Sequence, residues 1–205
     1  MKVKKKPMPT WQKIFYVCSF VFLIWAFIYL GTKNYNAPIK KLTDQESFTQ
    51  EYGITSKNIY VYKNAKEILE TINSGSAVIF LGFPENKWSS SYAEILNDVA
   101  KDYGLKEIYY YNFLKDRSNN NTYYEKIVNQ LTSYLSVLDN ETINIYAPAM
   151  LIVKDGEILV YDDETSIIKG DISVGDYWTF SAIQNKKEQL SRFLELYLEV
   201  PDEEY

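Results

Sequence analysis

The most informative part of the sequence is AVIFLGFPENKWS, residues 77–89. Ala77–Leu81 is a continuous apolar run, which is typical of a central strand covered on both faces. Gly82-Phe83-Pro84 interrupts that strand. A helical stripe follows, formed by Tyr92, Ile95, Leu96, Val99, Ala100 and Tyr103. The stretch therefore predicts a buried strand that turns sharply into an amphipathic helix.

Strand and helix patterns alternate on both sides of this stretch. Strands are predicted at residues 58–62, 107–113, 150–153 and 158–161, and further helices at 65–72, 124–138 and 183–198. Helices that cross over between the first strands imply parallel pairing, and Asp155-Gly156 predicts a closing antiparallel hairpin. The order β-α-β-α-β-α-β-β-α predicts a three-layer α/β sandwich over residues 55–200.

An apolar segment precedes this domain. Residues 14–31 carry no charge, and as a helix they would span about 27 Å, close to the hydrocarbon core of about 30 Å. Residues 1–13 hold five lysines and no acid. The positive-inside bias therefore predicts a cytoplasmic N-terminus, a membrane helix at 14–32 and an extracytoplasmic body. A cleaved signal peptide is the alternative, although residues 29–32 fit a cleavage site poorly.

The remaining segments are polar. Residues 33–54 show no sustained period and are interpreted as a stalk, and residues 201–205 as an acidic tail. The acidic residues Asp162, Asp163, Glu164, Asp171 and Asp176 are interpreted as a solvated loop. A calcium site is the alternative, because calcium prefers oxygen ligands.

Composition excludes several classes of function. Residues 14–205 hold 17 basic and 27 acidic side chains, and this acidic body would repel nucleic acid. The chain has no histidine and a single cysteine, Cys18. Catalytic triads that contain histidine, and thiol pairs, are therefore excluded. Neither a cofactor nor a metal ion is expected.

Four landmarks occur in order: the turn Gly82–Ser89 after its strand, the strand at Ile108–Tyr110, the step Tyr146-Ala147-Pro148 and the hairpin at Val153–Gly156. Together they resemble the thioredoxin superfamily. Within it, they look like the membrane-tethered or secreted thioredoxin-like proteins of Gram-positive bacteria, including bacteriocin-transport accessory proteins. The resemblance covers residues 55–200.

The turn departs from the family pattern, which typically reads Gly-Phe-Pro-Glu-Cys-Pro-Trp-Cys. Asn86 and Ser89 stand where the family has its two redox cysteines, and Lys87 replaces the proline between them. Disulfide exchange needs a thiolate and a second sulfur, and an amide and a hydroxyl supply neither. The resemblance therefore implies a scaffold without redox activity, a pseudo-oxidoreductase.

The resemblance also implies a binding groove. Its residues are Phe83, Pro84, Asn86, Lys87, Trp88, Ser89, Ala147 and Pro148. In the family the proline bond is cis, and the backbone of the preceding residue, here Ala147, pairs with an extended polypeptide. Alternatively, Pro148 only shapes the core. Trp88 is predicted to be the apolar anchor for a partner.

Residues 89–91 are three consecutive serines at the start of a predicted helix. They are interpreted as capping residues, since serine hydroxyls accept hydrogen bonds from free backbone N–H groups. A serine nucleophile is the alternative, for which only a lysine such as Lys87 would be available as base.

These observations predict a non-enzymatic, membrane-anchored protein with an extracytoplasmic domain. Its expected role is to bind a protein partner in a cell-envelope, secretion or conjugation-type complex. Two alternatives stay open. One is a non-thiol enzyme or small-thiol binder that uses the same cleft, with Ser89 as the key group. The other is a structural subunit that assembles through its membrane helix.

Overall fold

The structure, a computed structural model, describes residues 8–35, 41–54, 57–136, 143–164 and 171–199. The predicted acidic tail and residues 1–7 of the basic segment lie outside these ranges. The chain divides into two compact units, residues 1–41 and 42–205. The first contains helix α1, Thr10–Tyr35. Within α1, Thr10–Tyr29 is long and apolar enough to cross a membrane, so the predicted apolar helix is present.

The second unit is a mixed α/β domain. Its strands are β1 Tyr60–Tyr62, β2 Ala77–Leu81, β3 Ile108–Tyr111, β4 Ala149–Lys154 and β5 Glu157–Asp163. Its helices are α2 Asp44–Tyr52, α3 Ala65–Ser74, α4 Ser89–Asp102, α5 Leu114–Ser118, α6 Thr122–Leu131, α7 Val174–Tyr177 and α8 Phe180–Leu198. The sheet order is β1-β3-β2-β4-β5. The first three strands pair in parallel, and β4 is antiparallel to both of its neighbours, as the sequence predicts.

Strand β2 lies between two hydrophobic cores. Val78 and Phe80 pack with residues of α2, α4 and α8, whereas Ile79 and Leu81 pack with residues of α3 and α6. All five residues of β2 are buried. The continuous apolar run thus reflects a strand covered by helices on both faces.

The predicted hairpin joins β4 to β5. Asp155 and Gly156 form its two-residue loop, and both have positive φ, 50° and 81°. A Cβ atom on Gly156 would lie 2.6 Å from the carbonyl oxygen of Asn73, so only glycine fits against the end of α3 here.

Helix α2 corrects the prediction of a stalk over residues 33–54. Thr43 caps the helix, with Oγ1 accepting from the N–H of Glu46, and Gly53 ends it in the left-handed region. Phe48 and Tyr52 are buried, and the Phe48 ring stacks on Tyr60 with centroids 3.9 Å apart. Two apolar residues four positions apart form too short a stripe to predict a helix, but the capping-box residues Thr43 and Glu46 signal its start.

Helix α2 also covers the open edge of the sheet. The Asp44 carboxylate accepts from the N–H of Tyr62 at 3.0 Å, and the Gln45 amide donates to the carbonyl of Tyr60 at 3.0 Å. These backbone groups lie on the side of β1 away from β3. Since an exposed strand edge is a site for unwanted pairing, α2 completes the fold.

We expect Thr43→Ala to destabilise the domain by about 1 kcal/mol, because it removes the cap of a helix that folds with the sheet. For a domain of this size that loss corresponds to roughly 2–4 °C in melting temperature. Thermal unfolding of the full chain in detergent measures it, with exposed Gln50→Ala on the same helix as the control. Equal melting temperatures for the two variants would show that α2 does not unfold together with the sheet.

Candidate functional site

The candidate site lies where β2 ends and β4 begins. The antiparallel register pairs Leu81 with Ala149, which places the turn 82–88 beside Pro148. The Ala147–Pro148 peptide bond is cis, as the resemblance implies. Gly82 allows the tight exit from β2, because a Cβ there would lie 2.6 Å from the Phe80 ring.

Asn86 organises the turn through its side-chain amide. Its Oδ1 accepts from the N–H of Trp88 at 2.9 Å and from Oγ of Ser89 at 3.3 Å. Its Nδ2 donates to the carbonyl of Ala147 at 3.0 Å. Asn86 and Ser89 therefore contact each other, and Asn86 ties the turn to Ala147, which precedes the cis proline.

Half of the eight predicted groove residues are buried. Ser89, Trp88 and Ala147 are 0%, 6% and 3% exposed, and Pro148 is buried. Phe83, Pro84 and Asn86 are half-buried, and Lys87 is exposed. The structure brings all eight residues together but leaves only the rim, Phe83, Pro84, Asn86 and Lys87, open to a partner.

Trp88, which is predicted to be the apolar anchor for a partner, is buried rather than exposed. Its ring packs edge-on against Tyr177 with centroids 5.3 Å apart, and the Lys87 ammonium lies 4.8 Å from its centroid. Lys87 Nζ is also 3.4 Å from the carbonyl of Ile172. The segment 171–178 thus covers Trp88, a contact between residues about ninety positions apart that local sequence patterns do not reveal.

The prediction that serines 89–91 cap the helix that follows is wrong. Helix α4 begins at Ser89 with Trp88 as N-cap, and no side-chain hydrogen bond caps it. The Ser89 hydroxyl points to Asn86 instead, and the side chain is fully buried. A buried hydroxyl that donates to an amide oxygen is poorly placed to attack a substrate.

A buried charge cluster lies behind this site. Lys186 Nζ contacts Asp162 Oδ2 at 3.0 Å and Glu164 Oε2 at 2.5 Å, and all three side chains are at least nine-tenths buried. Gln189 donates to Asp162 at 3.0 Å, and the Tyr177 hydroxyl donates to Glu164. We refer to Asp162, Glu164 and Lys186 as the buried ion cluster.

The buried ion cluster is connected to the candidate site. The N–H of Glu164 donates to the carbonyl of Pro148 at 3.2 Å, and the Tyr92 hydroxyl of α4 donates to Asp162 at 2.6 Å. Burial, and after it the charge of Asp162, raises the pKa of Tyr92 well above its ordinary value. Tyr92 therefore stays protonated and remains a donor to Asp162.

This cluster corrects the interpretation of the acidic segment as a solvated loop. Asp162 belongs to β5 and is buried, as is Glu164, whereas Asp171 and Asp176 are exposed. Among the described residues, no group of three or more Asp, Glu, Cys or His side chains could hold a metal ion. A sequence signal existed: Lys186 falls on the apolar stripe of α8, three residues after Ile183 and four before Leu190.

The site thus combines a closed turn, a cis proline and a buried ion cluster in a mixed α/β domain that follows an apolar helix. Its polar groups hold one another through hydrogen bonds, and it contains neither histidine nor cysteine. No family model, no curated protein and no solved structure matches the chain.

Proposed function

We propose that this chain is a single-pass membrane protein with a thioredoxin-like extracytoplasmic domain that has lost thiol chemistry and binds another protein. The order of strands and helices from β1 onward, the parallel crossovers and the closing antiparallel hairpin support the fold. The apolar stretch in α1 supports the anchor, and the lysines that precede it support a cytoplasmic N-terminus. A cell-envelope, secretion or conjugation-type complex is the proposed setting.

The observation that carries the proposal is the set of hydrogen bonds made by Asn86. Asn86 and Ser89 stand where a thiol pair would act, and the hydrogen bonds of Asn86 fix the turn against Ala147. A rigid turn at the end of a sheet costs little entropy when it binds, which favours a recognition surface. The half-buried rings of Phe83 and Pro84 and the exposed Lys87 form its accessible rim.

Site-specific photo-crosslinking in native membranes tests this proposal. We expect a probe at Lys87 to give a discrete heavier band, because Lys87 is on the rim and exposed. The matched control is a probe at Lys106, another exposed lysine, which precedes β3 at the opposite end of the sheet. Ser89 is unsuitable for the probe, since its side chain is fully buried.

A band of equal strength from both positions would indicate collisions rather than a specific partner. Bands from neither position, with the protein correctly inserted, would contradict binding at the rim. That result would favour the alternative in which the membrane helix carries assembly.

A further inference from the structure

Arg117 places a cation at the edge of the rim. Its guanidinium lies 5.6 Å from the Phe83 ring and 5.4 Å from the Phe113 ring. One Nη donates a long hydrogen bond of 3.4 Å to the carbonyl of Ile145, two residues before Ala147. Two aromatic rings and a backbone carbonyl therefore hold the half-buried guanidinium in one orientation, which reduces the entropy lost when it binds a ligand.

Arg117 forms no ion pair with the described part of the chain. No described carboxylate oxygen lies within 4.0 Å of its nitrogens. The neighbouring Asp116 is engaged elsewhere, since its two oxygens accept from Tyr111 at 2.8 Å and from Asn121 at 3.1 Å. A partly desolvated cation with unused donors favours an anion.

A cavity of about 230 Å³ opens beside Arg117. Its other polar walls are mostly neutral: the amides of Asn120, Asn129 and Asn144 and the hydroxyl of Tyr124. Burial raises the pKa of Tyr124, and the charge of Arg117 opposes that rise, so the hydroxyl remains a neutral donor. Glu125 is exposed at the same cavity.

We infer that the cavity beside Arg117 binds a single carboxylate group of the partner, either a chain terminus or an Asp or Glu side chain. The inference rests on the proposed function and specifies its chemistry. A guanidinium can donate two parallel hydrogen bonds to the two oxygens of a carboxylate. The neutral amides can form hydrogen bonds with the partner's peptide groups next to that carboxylate. Val128 and Ile143 supply apolar contact. A ligand with one charge fits best, because the acidic body repels strongly acidic ligands.

The two arginines of the chain, Arg117 and Arg192, make a direct test possible. The full chain is labelled with ¹⁵N-arginine only and studied in a non-ionic detergent, so that the two Nε–H signals report on the two sites. The probes are acetyl-dialanyl-leucine as free acid, the same peptide as C-terminal amide, and acetyl-alanyl-glutamyl-leucine amide. The first and third carry one carboxylate each, at the terminus and on a side chain.

We expect the free acid or the glutamyl peptide to shift the Arg117 signal in a saturable way at millimolar concentration, while the exposed Arg192 stays unchanged. Binding should weaken roughly tenfold or more for the uncharged amide and for Arg117→Gln, because charge-assisted hydrogen bonds are lost. Arg192→Gln, which removes the same charge from α8, should bind the peptides normally.

Equal, non-saturating shifts of both signals would overturn the inference, and so would binding of the uncharged amide as strong as that of the acid. If the wild-type chain binds neither carboxylate peptide but the probe at Lys87 still crosslinks, this inference alone is rejected. If the probe at Lys87 gives no crosslink in the otherwise unchanged chain, the proposed function is rejected instead.

Discussion

The double substitution Asn86→Cys and Ser89→Cys is expected to give the domain a redox-active disulfide and a measurable rate of insulin reduction with dithiothreitol. The wild-type chain should show no rate above buffer, because it has no thiol in the domain. This prediction directly tests the proposed thioredoxin-like geometry of the turn.

The distances in the turn allow the bond to form. The N–H of Ser89 donates to the carbonyl of Asn86 at 3.1 Å, which closes a turn of four residues. Such turns bring their first and last Cα atoms within about 7 Å, and disulfides join Cα atoms about 4.4–6.8 Å apart. Asn86 Oδ1 and Ser89 Oγ already lie 3.3 Å apart.

The two positions are also unequally accessible. Residue 86 is half-buried and residue 89 is fully buried. The thiolate at residue 86 would therefore attack the insulin disulfide, and the thiol at residue 89 would resolve the mixed disulfide. Residue 86 lies just before α4, and a helix N-terminus stabilises a thiolate. If the turn has the proposed geometry, we expect a reduction potential of about −270 to −120 mV, the range of thioredoxin-fold oxidoreductases.

The measurement uses a background in which Cys18 is replaced by alanine, so that only the new thiols react. After mild oxidation, mass spectrometry of the alkylated protein should show no modification, and two modifications after reduction. The single variants are the controls: neither should reduce insulin, and Ser89→Cys alone should be alkylated slowly because the side chain is buried.

Free thiols at both positions after oxidation would reject a thioredoxin-like turn. Formation of the disulfide without insulin reduction would separate two parts of the proposal, the fold and the groove. It would support the fold but would count against a groove that admits a polypeptide.

The parts of the fold that were predictable from sequence are those set by local patterns. The apolar run at Ala77–Leu81 marked a strand between two layers, and Asp155-Gly156 marked the hairpin, since both depend on neighbouring residues alone. Helix α2 was missed because only Phe48 and Tyr52 mark its buried face, and both become buried by contact with distant strands.

For the candidate site, the sequence predicted which residues come together but not which of them are exposed. Its eight residues do lie together, because the pairing of β2 with β4 brings the turn to Pro148. Trp88 is covered because Tyr177 packs against it, and Glu164 is buried because it pairs with Lys186. Neither contact follows from the period of a strand or a helix, since each joins segments that meet only after folding.

The substitution Lys186→Met is expected to destabilise the domain by about 3–5 kcal/mol, because it leaves the buried carboxylates of Asp162 and Glu164 without their cation. Methionine keeps most of the side-chain volume, so the loss reports charge rather than packing. The melting temperature should fall by roughly 10 °C. Denaturant unfolding of the full chain in detergent, followed by circular dichroism, measures the free energy.

Lys187 provides a matched control on the same helix. Its ammonium lies 3.5 Å from Asp98, and both side chains are more than a third exposed. Surface pairs of this kind contribute about 0–1 kcal/mol, so Lys187→Met should remain close to wild type. If both variants lose the same free energy of unfolding, Lys186 is not required to balance buried charge.

A rescue experiment separates charge balance from damage to α8. The triple variant Lys186→Met, Asp162→Asn, Glu164→Gln removes every charge of the cluster and should recover most of the lost stability, since well-packed neutral residues often replace a buried ion pair without loss. The Lys186→Met variant alone should also weaken the contact of Glu164 with Tyr177, and with it the cover over Trp88. Loss of the Lys87 crosslink in that variant, and its return in the triple variant, would show that the buried ion cluster holds the rim in its binding shape.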